Sequence, residues 1–331
     1  MSNNEKTFDV PVCLFLYRRK DTLLKTISIL NSIGVKKVYL MGDYNEEHRD
    51  EIMDVRRSVK EAIKGAELIC DFATENRGVF KNIGLGALRV FEKEEQCIFL
   101  EDDNLPDVSF FFYCRELLKK YRDNDRVLWV CGTDYLPIFD SPNNESYVFT
   151  QQLLPCGWAS WRNKFTKFYL TNLDFLGDKK QRLELKKRYV SKKLWKQQVC
   201  EDAYSEYERF AHGLNYISWD YHMIMTIMKY DLLGIAPTKN LIRNTGIDEL
   251  ATHGGRAAKN VMAARFCKMD SFSLDFPLIH PKDLAVNLDF ERRISKLRLK
   301  PRWPIIKQII KDWIKEQVFH VSKYEPIRKK K

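Results

Sequence analysis

Short apolar runs alternate with amphipathic stretches through roughly the first 130 residues. Residues 10–17 (VPVCLFLY) form a continuous apolar run, as a strand covered on both faces requires, and the run stops at Arg18, Arg19 and Lys20. Asp21 then opens a stretch with Leu23, Ile27, Leu30 and Ile33 at helical spacing, closed by Gly34. The alternation continues with a strand over 35–41 that ends at Gly42-Asp43, a polar helix-like stretch over 45–62 and a strand over 67–72. After a turn at 74–78, Val79, Ile83, Ala87, Leu88 and Phe91 mark one helix face. A strand over 97–100, a helix over 106–121 with an aromatic run, and a strand over 127–131 complete the series. Strands alternating with helices predict an α/β fold with a mostly parallel central sheet flanked by helices.

Beyond about residue 140 the pattern changes. A turn-rich connection at 140–144 leads to Gly157-Trp158-Ala159-Ser160-Trp161, then to a basic, helix-compatible stretch over 179–196. Trp219-Asp220-Tyr221-His222 opens a Met-rich helix reaching about Tyr230, and a short strand or turn follows at 234–237. Residues 240–255 are polar and Gly-rich and include His253. Three regions follow from these shifts: 1–140, 141–289 and a basic tail over 290–331.

The tail changes how the charge is read. Fourteen Lys and Arg stand against four Asp and Glu from residue 291 onward, which accounts for nearly all of the net charge of +11. The remaining body is close to neutral, so the basic character belongs to an appendage and does not mark a nucleic-acid binder. Residues 304–319 place Ile305, Ile306, Ile309, Ile310, Trp313 and Ile314 opposite Lys307, Lys311 and Lys315. An Ile-rich face backed by lysines is expected to lie on an anionic membrane surface; packing against the body is the competing expectation. The eight cysteines include no CxxC pair, and the polar N-terminus lacks an apolar core after it, so a reduced, cytoplasmic protein without a signal peptide is expected.

The chemistry centres on residues 97–106, CIFLEDDNLP. Three adjacent carboxylates cannot enter the interior that the apolar run occupies, so the strand must end at Glu101-Asp102-Asp103. In an open α/β sheet that edge is where ligands bind, and clustered carboxylates call for a cation or several donors. Arg18, Arg19 and Asp43 end other strands and would share the edge. The readings are a divalent-metal site for a phosphorylated ligand or an acidic cap on a strand end.

With the basic end of the first strand, Asn76-Arg77-Gly78 and Trp219-Asp220 in this order, residues 8–256 resemble the GT-A glycosyltransferases. The likeness is to inverting enzymes of the N-acetylglucosaminyltransferase I type and bacterial surface-polysaccharide transferases that carry Glu-Asp-Asp. The resemblance implies a GT-A-like, Rossmann-like sheet with a smaller α+β acceptor subdomain. It implies that Asp103 binds Mn²⁺ or Mg²⁺, with His253 a further candidate for the metal or the diphosphate. Glu101 and Asp102 would address the sugar or ribose. Arg18, Arg19, Asp43, Asn76, Arg77 and Lys81 are candidates for the rest of a nucleoside-diphosphate sugar, a UDP-sugar foremost.

Inverting transfer also needs a base for the acceptor hydroxyl, and a partly desolvated carboxylate suits that task. Asp220 is the choice, with a helix N-cap as its plainer role and Asp202 as its rival. Trp158 and Trp161, with Gly157, would meet a glycan acceptor, lipid-linked chains included; burial in a core is the alternative for both rings. The expected protein is a peripheral enzyme of the inner membrane face that builds surface polysaccharide or lipopolysaccharide by hexosyl or N-acetylhexosaminyl transfer. A sugar-phosphate nucleotidyltransferase is the enzymatic alternative, although Arg18-Arg19-Lys20-Asp21 stands where a Gly-rich phosphate loop would be expected. A non-enzymatic binder of anionic polymers is the other.

Overall fold

The computed structural model describes residues 7–246, 265–267 and 269–301. Its strands are β1 (Val12–Leu16), β2 (Lys37–Gly42), β3 (Glu67–Phe72), β4 (Gln96–Glu101), β5 (Asn104–Pro106), β6 (Val127–Cys131), β7 (Tyr147–Thr150), β8 (Trp158–Trp161), β9 (Leu233–Pro237) and β10 (Ile242–Asn244). Eight of them form one sheet in the order β3-β2-β1-β4-β8-β6-β9-β7, while β5 and β10 pair separately. β1 to β4 are mutually parallel and β6 is parallel to β9. β8 runs antiparallel between β4 and β6, and β7 is an antiparallel edge. Mostly parallel, with strands from both sides of residue 140, the sheet has the α/β character that the alternating pattern predicts.

Both faces of the sheet are covered, which is why the inner strands read as unbroken apolar runs. All five residues of β1 are buried; Leu14 enters one core cluster, Cys13 and Phe15 the other. The flanking helices of this half are α1 (Lys20–Ile33), α2 (Arg49–Ala62), α3 (Leu85–Phe91) and α4 (Val108–Lys120). α1 buries Leu23, Ile27 and Leu30 and ends at Gly34, whose φ of 68° allows its N–H to close on the last turn. α4 starts where the Asp107 carboxylate accepts the Ser109 N–H at 2.8 Å.

The later helices are α5 (Arg162–Phe168), α6 (Lys179–Leu185), α7 (Lys192–Trp195), α8 (Ala203–Ala211), α9 (Trp219–Tyr230) and α10 (Leu288–Arg298). The basic stretch expected to be helical throughout is divided. Tyr189 takes up extended backbone and is buried, and the Ser191 hydroxyl then caps α7. β7 and β8 carry no alternation that would announce them, because each is only four residues long and buried on both faces. α10 is fastened to the sheet edge through Glu291. Its buried carboxylate accepts the Thr150 hydroxyl and the Gln151 N–H, each at 2.6 Å, and the Gln152 amide at 2.9 Å. Three donors satisfy a charge that would otherwise be costly to bury.

Candidate active site

The Glu101-Asp102-Asp103 run leaves β4 at the carboxyl edge of the sheet, and its three side chains have different partners. Asp102 turns inward. Its Oδ2 accepts the N–H groups of Tyr17, Arg18 and Arg19 at 3.1, 3.0 and 3.3 Å, and its Oδ1 pairs with the Arg19 guanidinium at 3.1 Å. Asp102 and Arg19, both expected to address the donor, hold each other and fix the β1 exit. Asp103 receives the Asn104 amide at 2.5 Å, while its backbone carbonyl accepts the Thr245 N–H at 2.8 Å. Burial, with the Asp102 charge next, pushes Asp103 up to about 6. Burial and then the charges of Asp103, Asp102 and Asp220 hold Glu101 well above the usual carboxylate range.

Asn104 is a site residue that pattern reading missed. It is 1% exposed; its Oδ1 accepts the Gly157 N–H at 2.8 Å and the Glu101 N–H at 3.3 Å. One amide thus links the acidic turn to the start of β8 and orients Asp103. Gly246 approaches from beyond β10: a Cβ there would lie 2.5 Å from Asp103 Oδ2. Nothing local in the sequence marks either contact, since the partners lie far apart along the chain.

At the neighbouring strand ends, Asp43 accepts the N–H groups of Arg77 and Gly78 at 2.7 and 3.0 Å and that of Tyr44 at 2.8 Å. Its carboxylate shapes the turn expected to lie against a nucleotide. Gly78 allows that turn with a φ of 72°. The Arg77 guanidinium pairs with Asp71 at 2.6 Å, and Arg18 pairs with Glu51 at 2.6 Å. Asn76 and Lys81 are exposed at the same edge. A further missed residue, Arg56, lies 8% exposed under this edge and donates to the carbonyls of Asp43 and Ala73 at 3.0 and 2.9 Å.

Asp220 lies in the first turn of α9. The Ser218 hydroxyl caps the helix and also donates to Asp220 Oδ1. Burial raises the Asp220 carboxyl, and the charge of Arg298 opposes that rise. The charge of Asp220 also raises the Glu101 carboxyl, after those of Asp103 and Asp102. Asp202 is paired with Lys300. His222 is fully buried, with Nδ1 at 2.7 Å from the Leu170 carbonyl, and burial lowers it to about 4.

The tryptophans are placed differently from the acceptor platform expected of them. Trp158 and Trp161 are 1% and 2% exposed. Trp158 stacks on Phe99 at 4.2 Å and on Trp219 at 5.4 Å, and the Trp161 indole N–H donates to the Leu118 carbonyl at 2.9 Å. Their ring faces are filled by the core, which leaves none for a sugar. Gly157 is likewise structural: its φ is 64°, and a Cβ would lie 2.7 Å from Ile242. His253 and the 304–319 helix lie outside the described residues.

A metal would find an oxygen ligand of excess negative charge in Asp103, whose nearest donors are neutral amides. Among the described residues, no group of three or more His, Cys, Asp or Glu is spaced to enclose an ion. A hard cation that takes one carboxylate and completes its shell with ligand oxygens and water would find that oxygen in Asp103. No described helix is long and apolar enough to cross a membrane.

No family model matches the chain, and no curated relative matches it. Among solved structures, it is similar to glucosyl-3-phosphoglycerate synthase from Mycobacterium tuberculosis, solved with Mn²⁺, uridine diphosphate and glucosyl-3-phosphoglycerate. That match has 12% identity and a TM-score of 0.31 and covers 47% of this chain and 57% of the synthase. HddC from Yersinia pseudotuberculosis, complexed with GMP-PN, has 10% identity and a TM-score of 0.33, covering 50% and 82%. S. aureus TarS 1-349 has 10% identity and a TM-score of 0.39, covering 72% and 60%. The three likenesses are partial and distant, and the chemistry of the acidic strand end is carried by its own side chains.

Proposed function

We propose that this chain is a divalent-metal-dependent glycosyltransferase. It would move a hexosyl or N-acetylhexosaminyl group from a nucleoside-diphosphate sugar, a UDP-sugar foremost, to a glycan acceptor of surface polysaccharide or lipopolysaccharide, with inversion. The observation that carries this reading is the acidic end of a central strand. Glu101 ends β4 and Asp103 follows in the turn, where Asp102 is already satisfied by the end of β1 while the Asp103 side chain accepts the Asn104 amide. Asp103 would hold Mn²⁺ or Mg²⁺, which when bound supplies Lewis-acid stabilisation of the departing diphosphate. Glu101 lies beside Asp103 to meet the sugar. Arg18 and the exposed Asn76 and Lys81 stand at the donor edge, and Asp43 with Arg77 shapes its turn.

On the acceptor side, Asp220 takes the proton of the attacking hydroxyl. The acceptor oxygen forms a bond to the anomeric carbon as the bond to the diphosphate oxygen breaks. The proton stays on Asp220 and the nucleoside diphosphate leaves. A carboxylate raised by burial is a stronger base than one in water, and Ser218 fixes its orientation. In the same reading, His253 belongs to the metal or diphosphate side and the basic tail rests on the cytoplasmic face of a membrane.

Replacing Asp220 by Asn tests the assignment of the base. Donor binding, measured by calorimetry with a UDP-sugar and Mn²⁺, should persist, while turnover falls by at least about a hundredfold, in keeping with the loss of a general base. Full turnover in that variant would remove Asp220 from the chemistry.

A further inference from the structure

The turn that carries Asp103 is gripped by the short ribbon in which β10 runs antiparallel to β5. The register sets Asn244 opposite Asn104, and both side chains reach the segment before β8. Asn104 Oδ1 accepts the Gly157 N–H at 2.8 Å, and Asn244 Nδ2 donates to Cys156 Sγ at 3.2 Å. The two residues after β10 then close on Asp103 itself. Thr245 donates to the Asp103 carbonyl twice, through its N–H at 2.8 Å and its hydroxyl at 3.2 Å. That hydroxyl also stands 3.1 Å from the Thr22 hydroxyl on α1. Gly246 donates its N–H to Asn244 Oδ1 at 2.7 Å.

Gly246 is a glycine for a reason of space. Its φ lies outside the left-handed region, so the backbone conformation does not call for one. A Cβ there would lie 2.5 Å from Asp103 Oδ2 and 2.9 Å from Asn244 Oδ1, closer than real side chains come. Oδ1 of the same Asp103 carboxylate holds the Asn104 amide. A methyl at 246 would be relieved by breaking that bond or by drawing the ribbon off the turn, and either moves Oδ2.

We propose that this ribbon is part of the metal centre, with Thr245 and Gly246 as positioning residues for Asp103. The inference rests on the reading of Asp103 as the carboxylate that holds the cation. Thr245 fixes the turn through the Asp103 carbonyl, and the bare α-carbon of Gly246 leaves Oδ2 its place. A carboxylate held from both ends meets a cation already ordered, and residues that orient a metal ligand in this way govern affinity by about 10–100-fold.

The test reads the cation directly. Mn²⁺ is titrated into the full-length chain with UDP present, the free-ion EPR signal gives the affinity, and thermal unfolding without Mn²⁺ shows which variants fold. Asp103→Ala should abolish the binding. Gly246→Ala should weaken it about 10–100-fold and Thr245→Val about tenfold, while Thr245→Ser, which keeps the hydroxyl, should stay close to the unsubstituted protein. Thr245→Val carries the test if Gly246→Ala does not fold. Affinity unchanged in the Gly246→Ala and Thr245→Val variants that fold, but lost in Asp103→Ala, overturns the proposal and leaves the metal reading standing. No Mn²⁺ bound by the unsubstituted protein, or binding that survives in Asp103→Ala, removes the metal reading and this proposal with it.

Discussion

Asp102 and Asp103 are adjacent in sequence and opposite in use. Asp102 meets three backbone N–H groups and a guanidinium, while the side chain of Asp103 is met by neutral amides. The sequence makes an acidic strand end legible at once, but it cannot say which carboxylate is already satisfied, because the partners lie more than eighty residues away. The same limit applies to Trp158. Its type suits a sugar platform, and only its neighbours, Phe99 and Trp219, reveal a core ring. Trp158→Ala should therefore cost about 3–5 kcal/mol of stability, read from denaturant unfolding. A loss below about 1 kcal/mol would mean the ring is not core.

Asp134 was not legible as special at all. It is fully buried at the end of β6; its Oδ1 accepts the Leu136 N–H at 2.8 Å, Oδ2 has no partner among the described residues, and burial pushes its carboxyl up to about 7. The folded state then holds a proton that the unfolded chain releases near pH 4. Stability attributable to this group is full below that pH, falls as pH rises towards 7, and is constant above it. Asp134→Asn should flatten this part of the stability profile between pH 4 and 7, measured as the difference from the unsubstituted protein in urea. Parallel profiles would show that Asp134 keeps its charge in the fold.

At the scale of elements, the periodic signals located the inner strands and the long helices well. β1, β6 and α9 fall where the apolar pattern puts them, because burial on both faces of an inner strand and around most of a helix leaves a direct trace in the sequence. The short strands β7 and β8 leave none. The turns that shape the edge are held by carboxylates acting on backbone. Asp43 is the clearest case, since it bonds the Arg77 and Gly78 N–H groups across more than thirty residues. Asp43→Ala should leave the fold intact but loosen residues 74–78, raising their amide exchange and weakening donor binding about tenfold or more, in proportion to the 1.5–3 kcal/mol range of hydrogen bonds to charged groups. Unchanged exchange in that turn would show that Asp43 does not organise it.

Across the whole molecule, one sheet draws strands from both sides of residue 140. Its parallel strands bring basic and acidic ends to one edge, while Asp220 lies in the first turn of α9. The chain order alone suggested a donor half, but the place of α10 depends on Glu291 fastening it to the sheet, a tertiary contact with no local signature. The central claim is that Asp103 makes this acidic strand end a metal-dependent donor site. Thermal unfolding of the protein and of Asp103→Ala, with a UDP-sugar present and Mn²⁺ added or chelated, tests it most directly. Donor at about a hundred times its dissociation constant should stabilise the unsubstituted protein by about 2.7 kcal/mol, seen as a rise in Tm, only when Mn²⁺ is present. Asp103→Ala should lose that rise. An equal rise without Mn²⁺, or in Asp103→Ala, would contradict the account.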